Sequence, residues 1–218
     1  MATPYLQLRR EEVPSTQDLA RAELDLLPVV VIAERQTAGR GRTGATWLNA
    51  PRALAVSVAL VLAEDDRRPI SLMSGLAAVR AVEGVALKWP NDIVIGDLKV
   101  GGILVERSGK VVVAGLGLNL WWPDASDGMG SLHQSDPGRE AHASIGGLWA
   151  AEFLHLVEGD GWPLDDYRAA CVTMAREITW EPEGAGVAVD ITAQGELVVE
   201  RNGKRQTINS GAIRHVRG

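Results

Sequence analysis

A loop rich in glycine and arginine carries the clearest chemical signal in the sequence. It reads QTAGRGRTGATW over residues 36–47. Its glycines have no Cβ, so backbone amides there can approach a bound group closely. Arg40 and Arg42 add forked cationic donors that suit carboxylates and phosphates. The loop lacks the signatures of a P-loop and of a dinucleotide-binding turn. It predicts an anion site, although an arginine-rich surface turn would explain it equally well.

Three later stretches also carry polar or glycine residues where a strand would not need them. KWPND (residues 88–92) places Asn91 and Asp92 after a rigid Trp-Pro bend, as an Asx turn would also do. KVGGILVE (residues 99–106) puts two glycines inside a strand, which indicates a ligand approaching the backbone or a bulge. GLGLN (residues 115–119) ends a strand on an asparagine that could bind a ligand or cap the strand. Each stretch alone is ambiguous.

Composition excludes several classes of protein. The formal net charge of −6 argues against a general nucleic-acid binder, although residues 35–42 contain three arginines and no acid. The single cysteine, Cys171, allows no internal disulfide framework and no thiol set for structural zinc. The N-terminus lacks the apolar core of a secretory signal, and no apolar run is long enough to cross a bilayer. These features suit a protein of the reducing cytoplasm.

The elements that must position these residues alternate between strands and helices. Ser15 and Thr16 open a helix that is expected to run to about Pro28. Apolar segments at 29–34, 53–62, 85–89, 93–95, 99–106 and 111–118 predict strands, and a helix is expected over 71–82. Because the later strands are joined by tight turns, we expect an α+β fold with a mixed, mostly antiparallel sheet backed by helices.

Two further helices and a small β module complete the prediction. Ser144 is expected to cap a helix over residues 145–159, and Pro163 to start one over 164–178. Apolar residues at helical spacing predict one packed face on the second helix: Leu164, Tyr167, Cys171, Met174 and Ile178. Short alternating strands with glycine turns then predict a small β-barrel-like module. The domains are therefore expected at 1–180, carrying the catalytic or binding site, and at 184–218.

Taken together, these stretches resemble biotin–protein ligases. The resemblance is carried, in order, by STQDLA, QTAGRGRTGATW, KWPND, KVGGILVE and GLGLN, over residues 15–119. It implies a fold like that of class II synthetases with an SH3-like module at the C-terminus. It implies the ATP-dependent formation of biotinyl-5′-AMP, followed by transfer of biotin to a lysine of a biotin carboxyl carrier domain. The absence of a DNA-binding domain before Ser15 implies a ligase of the short form, without a repressor role.

The resemblance also assigns site residues. Those expected to act in catalysis are Arg42, Lys99 and Asp92, and Asp92 is the expected ligand of Mg²⁺. The expected biotin-binding residues are Ser15, Thr16, Gln17, Gln36, Arg40, Gly41, Arg42, Lys99, Gly101 and Gly102. The expected nucleotide-binding residues are Arg40, Arg42, Trp47, Lys88, Asn91 and Asn119. The segment after Arg42 is expected to close over the adenylate.

Gln17 stands where the family more usually has asparagine, and residues 43–46 lack extra basic residues that some members carry. Two other readings remain: a lipoate or octanoate transferase of related fold, and a biotin or nucleotide sensor without turnover. Neither nucleic acid nor membrane is expected as a partner. Homodimerisation is left open.

Overall fold

The protein is described by a computed structural model that covers residues 3–182, 184–209 and 213–216. Seven strands form the main sheet, in the spatial order β1-β2-β3-β7-β6-β5-β4. They are β1 (Leu6–Val13), β2 (Val29–Gln36), β3 (Arg52–Val61), β4 (Ala86–Lys88), β5 (Asp92–Ile95), β6 (Leu98–Ser108) and β7 (Val111–Trp121). β1 and β2 pair in parallel, and the other neighbours pair antiparallel. The expected α+β fold with a mixed, mostly antiparallel sheet is confirmed.

Helices cover both faces of this sheet. They are α1 (Thr16–Ala22), α2 (Ile70–Ala81), α3 (Ala141–Glu158) and α4 (Leu164–Ala170). Alternation along β2 divides its apolar side chains, because successive residues point to opposite faces. Val30 and Ile32 belong to the large core, which also contains residues of α2 and α3, whereas Val29 and Val31 pack with Ala20 of α1. The α1 face is the thinner one, and it has room for a cavity.

A second sheet follows, with five strands in the order β11-β10-β9-β8-β12. Its strands are β8 (Glu177–Trp180), β9 (Gly184–Ile191), β10 (Leu197–Arg201), β11 (Lys204–Ile208) and β12 (Ile213–His215). Every pair is antiparallel. The expected SH3-like module is therefore present as a small antiparallel sheet, whose barrel is not closed within the described residues. β8 begins before the boundary expected at residue 180.

Three helix boundaries differ from the sequence-based expectation. α1 ends at Ala22 rather than near Pro28. Beyond it Leu24 still packs on the α1-face core, but Leu26 is 91% exposed and Leu27 is exposed, so the expected last turn would bury little apolar surface. α3 begins at Ala141, so Ser144 lies inside it and makes no cap. α4 ends at Ala170, and Ile178 lies in β8. The prediction that residues 164–178 form one helix with a single apolar face was therefore wrong.

The chain leaves α4 because residues 171–176 dock on strand β4. The Val172 amide donates to the Leu87 carbonyl at 2.8 Å, and the fully buried Thr173 accepts a hydrogen bond from the Trp89 amide through its Oγ1 at 3.1 Å. Ala175 adopts a φ of 60°, which ends any helical path. The apolar spacing therefore reflects core contacts made by a helix, a turn and a strand.

Strand β1 was not predicted. Most of its side chains are exposed or partly exposed, and it lies at the edge of the sheet, so its residues show no buried alternation. Within the described ranges, no helix has the length and apolar character needed to cross a membrane.

Candidate active site

One cavity of about 430 Å³ brings most of the predicted site residues together. The predicted residues that line it are Ser15, Thr16, Gln17, Gln36, Arg40, Gly41, Arg42, Trp47, Asn91, Asp92, Lys99 and Gly102. They come from the start of α1, the end of β2, the loop that follows it, and strands β5 and β6. Ser57, Gly115 and Gly117 form part of the wall on strands β3 and β7. Segments far apart in sequence thus converge on one site on the α1 face.

A chain of buried hydrogen bonds fixes one end of the cavity. Gln36 Oε1 accepts from the Thr16 amide at 2.8 Å and from Thr16 Oγ1 at 3.0 Å. Thr16 Oγ1 also lies 2.8 Å from Ser57 Oγ. A hydroxyl has one proton, so Thr16, which donates to Gln36, must accept from Ser57. The chain orients the Gln36 amide, with Nε2 as the donor left over for a ligand.

Gln17 lies beside this chain and is 5% exposed. Its amide oxygen and nitrogen have no hydrogen-bond partner among the described residues. A Cβ added at Gly115 would lie 3.3 Å from Gln17 Oε1, so the amide touches the strand that forms the wall. A buried amide with both ends unpaired destabilises a fold unless a bound group pairs with it. Gln17 is therefore suited to pair with polar atoms of a small ligand.

The two arginines of the glycine-rich loop make different contacts. Arg40 forms a two-pronged ion pair with Asp18 of α1, at 2.7 Å for both bonds, and also reaches Glu106 of β6. Arg42 donates to Asn91 Oδ1 at 2.8 Å, at the opposite side of the loop. Arg40 thus ties the loop to α1 and β6, whereas Arg42, which also lines the cavity, is held by a neutral partner.

The Arg40 pair is strong enough to affect both ionisations. The Arg40 guanidinium, hydrogen-bonded to Asp18, holds the pKa of that carboxyl below its usual value. The same hydrogen bond raises the pKa of Arg40. Both groups stay charged at neutral pH, so Arg40 reaches a ligand only by sharing or exchanging its carboxylate partners.

Trp47 folds back into the cavity. Its indole lies against strand β7, where a Cβ added at Gly117 would stand 2.6 Å from Trp47 Cζ2. Gly102 is also near it, at 3.6 Å from an added Cβ to Cζ3. The indole nitrogen is buried and has no partner among the residues described. The glycines of β6 and β7 therefore make room for this ring.

Lys99 and Asp92 form an ion pair inside the cavity, with Nζ 2.6 Å from Oδ1. The backbone of Lys99 is held on both sides by the loop after β7: its amide donates to the Gly128 carbonyl, and its carbonyl accepts from the Gly130 amide, both at 2.8 Å. Asn119 Nδ2 donates to the Gly130 carbonyl at 2.9 Å. The loop thereby fixes where Lys99 enters the site.

Three predicted residues lie outside the cavity. Asn119 is fully buried and bound to Gly130. Gly101 faces the core, where an added Cβ would lie 2.5 Å from Leu118 Cδ2. Lys88 lines a smaller, neighbouring cavity. Sequence reasoning also missed Ser57, although a lone polar residue in the apolar run of β3 was a usable signal.

Metal binding would depend on the substrate. The described residues contain no cluster of three or more His, Cys, Asp or Glu side chains that could hold an ion. Within the described part of the chain, Asp92 is the one carboxylate that lines the main cavity. Mg²⁺ is commonly held by one or two carboxylates together with substrate phosphates. The site therefore fits Mg²⁺ only as an ion shared between Asp92 and a bound polyphosphate.

The model of the biotin/lipoate A/B protein ligase family matches residues 11–120, and that of the biotin protein ligase C-terminal domain matches residues 185–216. A biotin–[acetyl-CoA-carboxylase] ligase of Mycobacterium tuberculosis is 33% identical over 91% of this chain and 84% of that protein. Biotin–protein ligase 2 of Arabidopsis thaliana is 33% identical over 54% of this chain and 39% of its own length.

Solved structures agree in fold. The biotin protein ligase of Aquifex aeolicus, in complex with biotin and ATP, superposes with a TM-score of 0.82 at 24% identity, over 97% of this chain and 99% of that one. The biotin acetyl coenzyme A carboxylase synthetase of Helicobacter pylori has a TM-score of 0.63 at 22% identity, over 94% of this chain and 100% of that one. The two family models and the Mycobacterium relative show that the chain belongs to the biotin/lipoate A/B protein ligase family, among its biotin–protein ligases.

Proposed function

We propose that this chain is an ATP-dependent biotin–protein ligase. It forms biotinyl-5′-AMP from biotin and ATP, and then transfers biotin to a lysine of a biotin carboxyl carrier domain. The observation that carries this proposal is that two sets of residues line the same cavity. The amide and hydroxyl side chains of Thr16, Gln17 and Gln36 form one set, called the cradle, and the cations Arg42 and Lys99 form the other.

Biotin binding is assigned to the buried end of the cavity. The ureido ring offers a carbonyl acceptor and two N–H donors, which match the mixed donors and acceptors of Gln17, Gln36 and Ser15. Gly115 of β7, which faces the Gln17 amide and lines the cavity, leaves this end without a side chain that would compete with the bicyclic ring. Biotin's carboxylate then points toward Lys99.

The first chemical step needs no protein nucleophile. A carboxylate oxygen of biotin attacks the α-phosphorus of ATP, a new P–O bond forms, and the bond to the bridging oxygen breaks, so that pyrophosphate leaves with that oxygen. Arg42 and Lys99 bring the two anions together and neutralise charge that develops on the α-phosphate. Asp92 holds Lys99 at the junction. Trp47 covers the nucleotide, and Asn91 supports Arg42.

Mg²⁺ bound between Asp92 and the phosphates would add further charge neutralisation. The side chain of Lys99 already pairs with Asp92, so a metal held by Asp92 would have to share this carboxylate with the lysine. The loop after Arg42 closes over the adenylate and excludes water, which would otherwise hydrolyse the mixed anhydride.

In the second step, a neutral lysine amine of the carrier attacks the acyl carbon of the adenylate. An amide bond forms, AMP leaves, and the amine loses a proton. A biotin carboxyl carrier protein or domain of a biotin-dependent carboxylase is the proposed partner.

We place the reaction in the cytoplasm, which suits a chain with one cysteine. We also propose a functional division into a catalytic domain, 1–180, and a small C-terminal domain, 184–218.

The half-reaction tests this proposal. Incubation with ATP, Mg²⁺ and biotin should release pyrophosphate once per enzyme molecule and leave biotinyl-5′-AMP bound, as seen by mass spectrometry after denaturation. Lipoate and octanoate in place of biotin should release none. Release driven by lipoate but not biotin would favour the transferase alternative, and biotin binding without any release would favour a sensor.

A further inference from the structure

Four charged side chains connect the glycine-rich loop, residues 36–47, to two of the elements around the main cavity. Arg40 of the loop donates two hydrogen bonds to Asp18 of α1, both at 2.7 Å, and reaches Glu106 of β6 at 3.3 Å. Arg21 of α1 donates to the same Glu106 at 3.1 Å. Two cations and two carboxylates therefore form one ion-pair network, which we call the Arg40 network.

The positions of the two carboxylates relate this network to the site. Asp18 lies two residues after Thr16, whose hydroxyl donates to Gln36 in the buried hydrogen-bond chain. Glu106 lies on β6, the strand that also brings Lys99 into the cavity. The network therefore joins the loop to the start of α1 and to β6, and both of these elements line the cavity.

A restraint on Arg40 also restrains the other limb of the loop, because backbone hydrogen bonds join the two limbs on either side of it. The Gly41 amide donates to the Ala45 carbonyl at 2.7 Å, and the Trp47 amide donates to the Gly39 carbonyl at 3.0 Å. Trp47 lines the cavity. A displacement of Arg40 would therefore also displace the tryptophan that the loop places there.

The geometry of the network favours a measurable effect. Isolated ion pairs on a surface contribute little to stability, but two-pronged pairs between arginine and a carboxylate, and pairs within a network, contribute more. Arg40 and Glu106 are also partly buried, with side chains 39% and 31% exposed. Such pairs suit the control of a loop, which opens at a much smaller free-energy cost than the whole fold.

We propose that Asp18 and Glu106 are positioning residues, which act through Arg40 to hold the glycine-rich loop closed over the cavity before a substrate binds. Neither carboxylate lines the cavity itself. A loop that is already in place loses less conformational entropy when biotin binds, so the network strengthens binding by preorganisation. The effect on the loop follows from the geometry alone, whereas the effect on biotin rests on the proposed function.

Hydrogen–deuterium exchange of the full chain, without substrate, measures the opening of the loop. The amides of Gly41 and Trp47 report it, because both are hydrogen-bonded within the loop. D18N/E106Q removes both carboxylate charges and keeps the size of the side chains. It should speed exchange of the two amides by about fivefold, since partly exposed ion pairs are individually weak.

E152Q/D166N is the matched control. Arg80 of α2 also pairs with one glutamate and one aspartate, Glu152 of α3 and Asp166 of α4, and its side chain is 33% exposed. Exchange in the loop of this variant should equal that of the unmodified protein. Raising the salt concentration from about 0.1 M to about 1 M shortens the Debye length from about 10 Å to about 3 Å. This change should speed loop exchange more in the unmodified protein and the control than in D18N/E106Q.

R40M tests whether the two carboxylates act through Arg40. In an R40M background, D18N/E106Q should change the exchange of the Gly41 and Trp47 amides by less than about twofold, because the shared partner is already absent. Equal acceleration with and without Arg40 would overturn the proposal. Unchanged loop exchange in D18N/E106Q would also overturn it.

Calorimetry with biotin tests the consequence for binding. D18N/E106Q should weaken biotin affinity by about two- to fivefold, because a smaller fraction of the protein then has the loop in place. Unchanged or tighter binding would overturn the proposed preorganisation. Faster loop exchange in D18N/E106Q, in a chain that forms no adenylate, would uphold the role of the Arg40 network and reject the proposed function.

Discussion

Lys99 Nζ lies 2.6 Å from Asp92 Oδ1, and this ion pair joins two strands at the centre of the candidate site. Lys99 is on β6 and Asp92 is on β5, and the register of these strands shifts between Ile93 and Val94. The pair places one cation and the one described carboxylate of the main cavity where biotin and ATP are proposed to meet. Several variants separate the roles of the residues around it.

Replacing Lys99 with alanine should stop adenylation while part of the biotin affinity remains. The cradle around Gln36 is built by Thr16 and Ser57, which Lys99 does not contact. Loss of one preorganised charge donor costs on the order of 10²–10³ in rate. Pyrophosphate release and biotin calorimetry measure the two effects. K110A, in the exposed turn between β6 and β7, is the control, and a normal adenylation rate in K99A would reject the role given to Lys99.

Replacing Arg42 with alanine should release the adenylate into solution without unfolding the protein. Arg42 is partly exposed and bonded to the neutral Asn91, so its removal should lower the free energy of unfolding by less than about 1 kcal/mol. Loss of a charged hydrogen bond to the phosphate should speed release of biotinyl-5′-AMP by about tenfold or more. Filtration followed by mass spectrometry of the filtrate measures that release. Parallel losses of melting temperature and activity would contradict this prediction.

Ser57 and Ser74 are both fully buried, so their alanine variants can be compared for their effect on stability. Ser57 Oγ is bonded to Thr16 at 2.8 Å, whereas Ser74 Oγ of α2 is buried without a partner among the described residues. S57A should lower the free energy of unfolding by about 1 kcal/mol, and S74A should be neutral or stabilising. S57A should also weaken biotin binding, because it removes the donor that orients Thr16. Urea unfolding compares the two, and equal costs would show that the hydrogen-bond chain has no structural role.

Two glycines that flank Trp47 should respond differently to alanine. A Cβ at Gly117 would stand 2.6 Å from the indole, whereas one at Gly102 would meet Cζ3 at 3.6 Å, an ordinary contact. G117A should therefore displace the loop and cost about 1–3 kcal/mol, while G102A should be tolerated. In the double variant W47A/G117A the clash is absent, so adding G117A to W47A should lower the free energy of unfolding by less than it does in the unmodified protein. Thermal unfolding of the four proteins measures this difference. An equal loss of stability with and without Trp47 would show that the indole does not lie against Gly117.

Most of the main sheet could be predicted from the sequence because its central strands are continuous apolar runs. β1 could not, since LQLRREEV lies at an exposed edge. Residues 171–178 misled the helix prediction, since their apolar side chains enter the core from a turn and a strand. The spacing of apolar residues along the sequence does not show where a helix gives way to a turn and a strand.

The candidate site was predictable where motifs carry it and not where tertiary pairing does. Glycines and arginines mark the loop, and KWPND marks the entry to β5. By contrast, the ion pairs of Arg40 with Asp18 and Glu106 join residues 22 and 66 positions apart, so only the folded chain reveals them. The burial of Asn119 against Gly130 depends likewise on the path of the loop after β7.

The most direct test of the central claim is the mass of a carrier domain after incubation with this chain, biotin, ATP and Mg²⁺. The account predicts an increase of one biotinyl group on a single lysine, which disappears when ATP is omitted or when K99A replaces the unmodified protein. A carrier of unchanged mass, in the presence of a chain that binds both biotin and ATP, would contradict it.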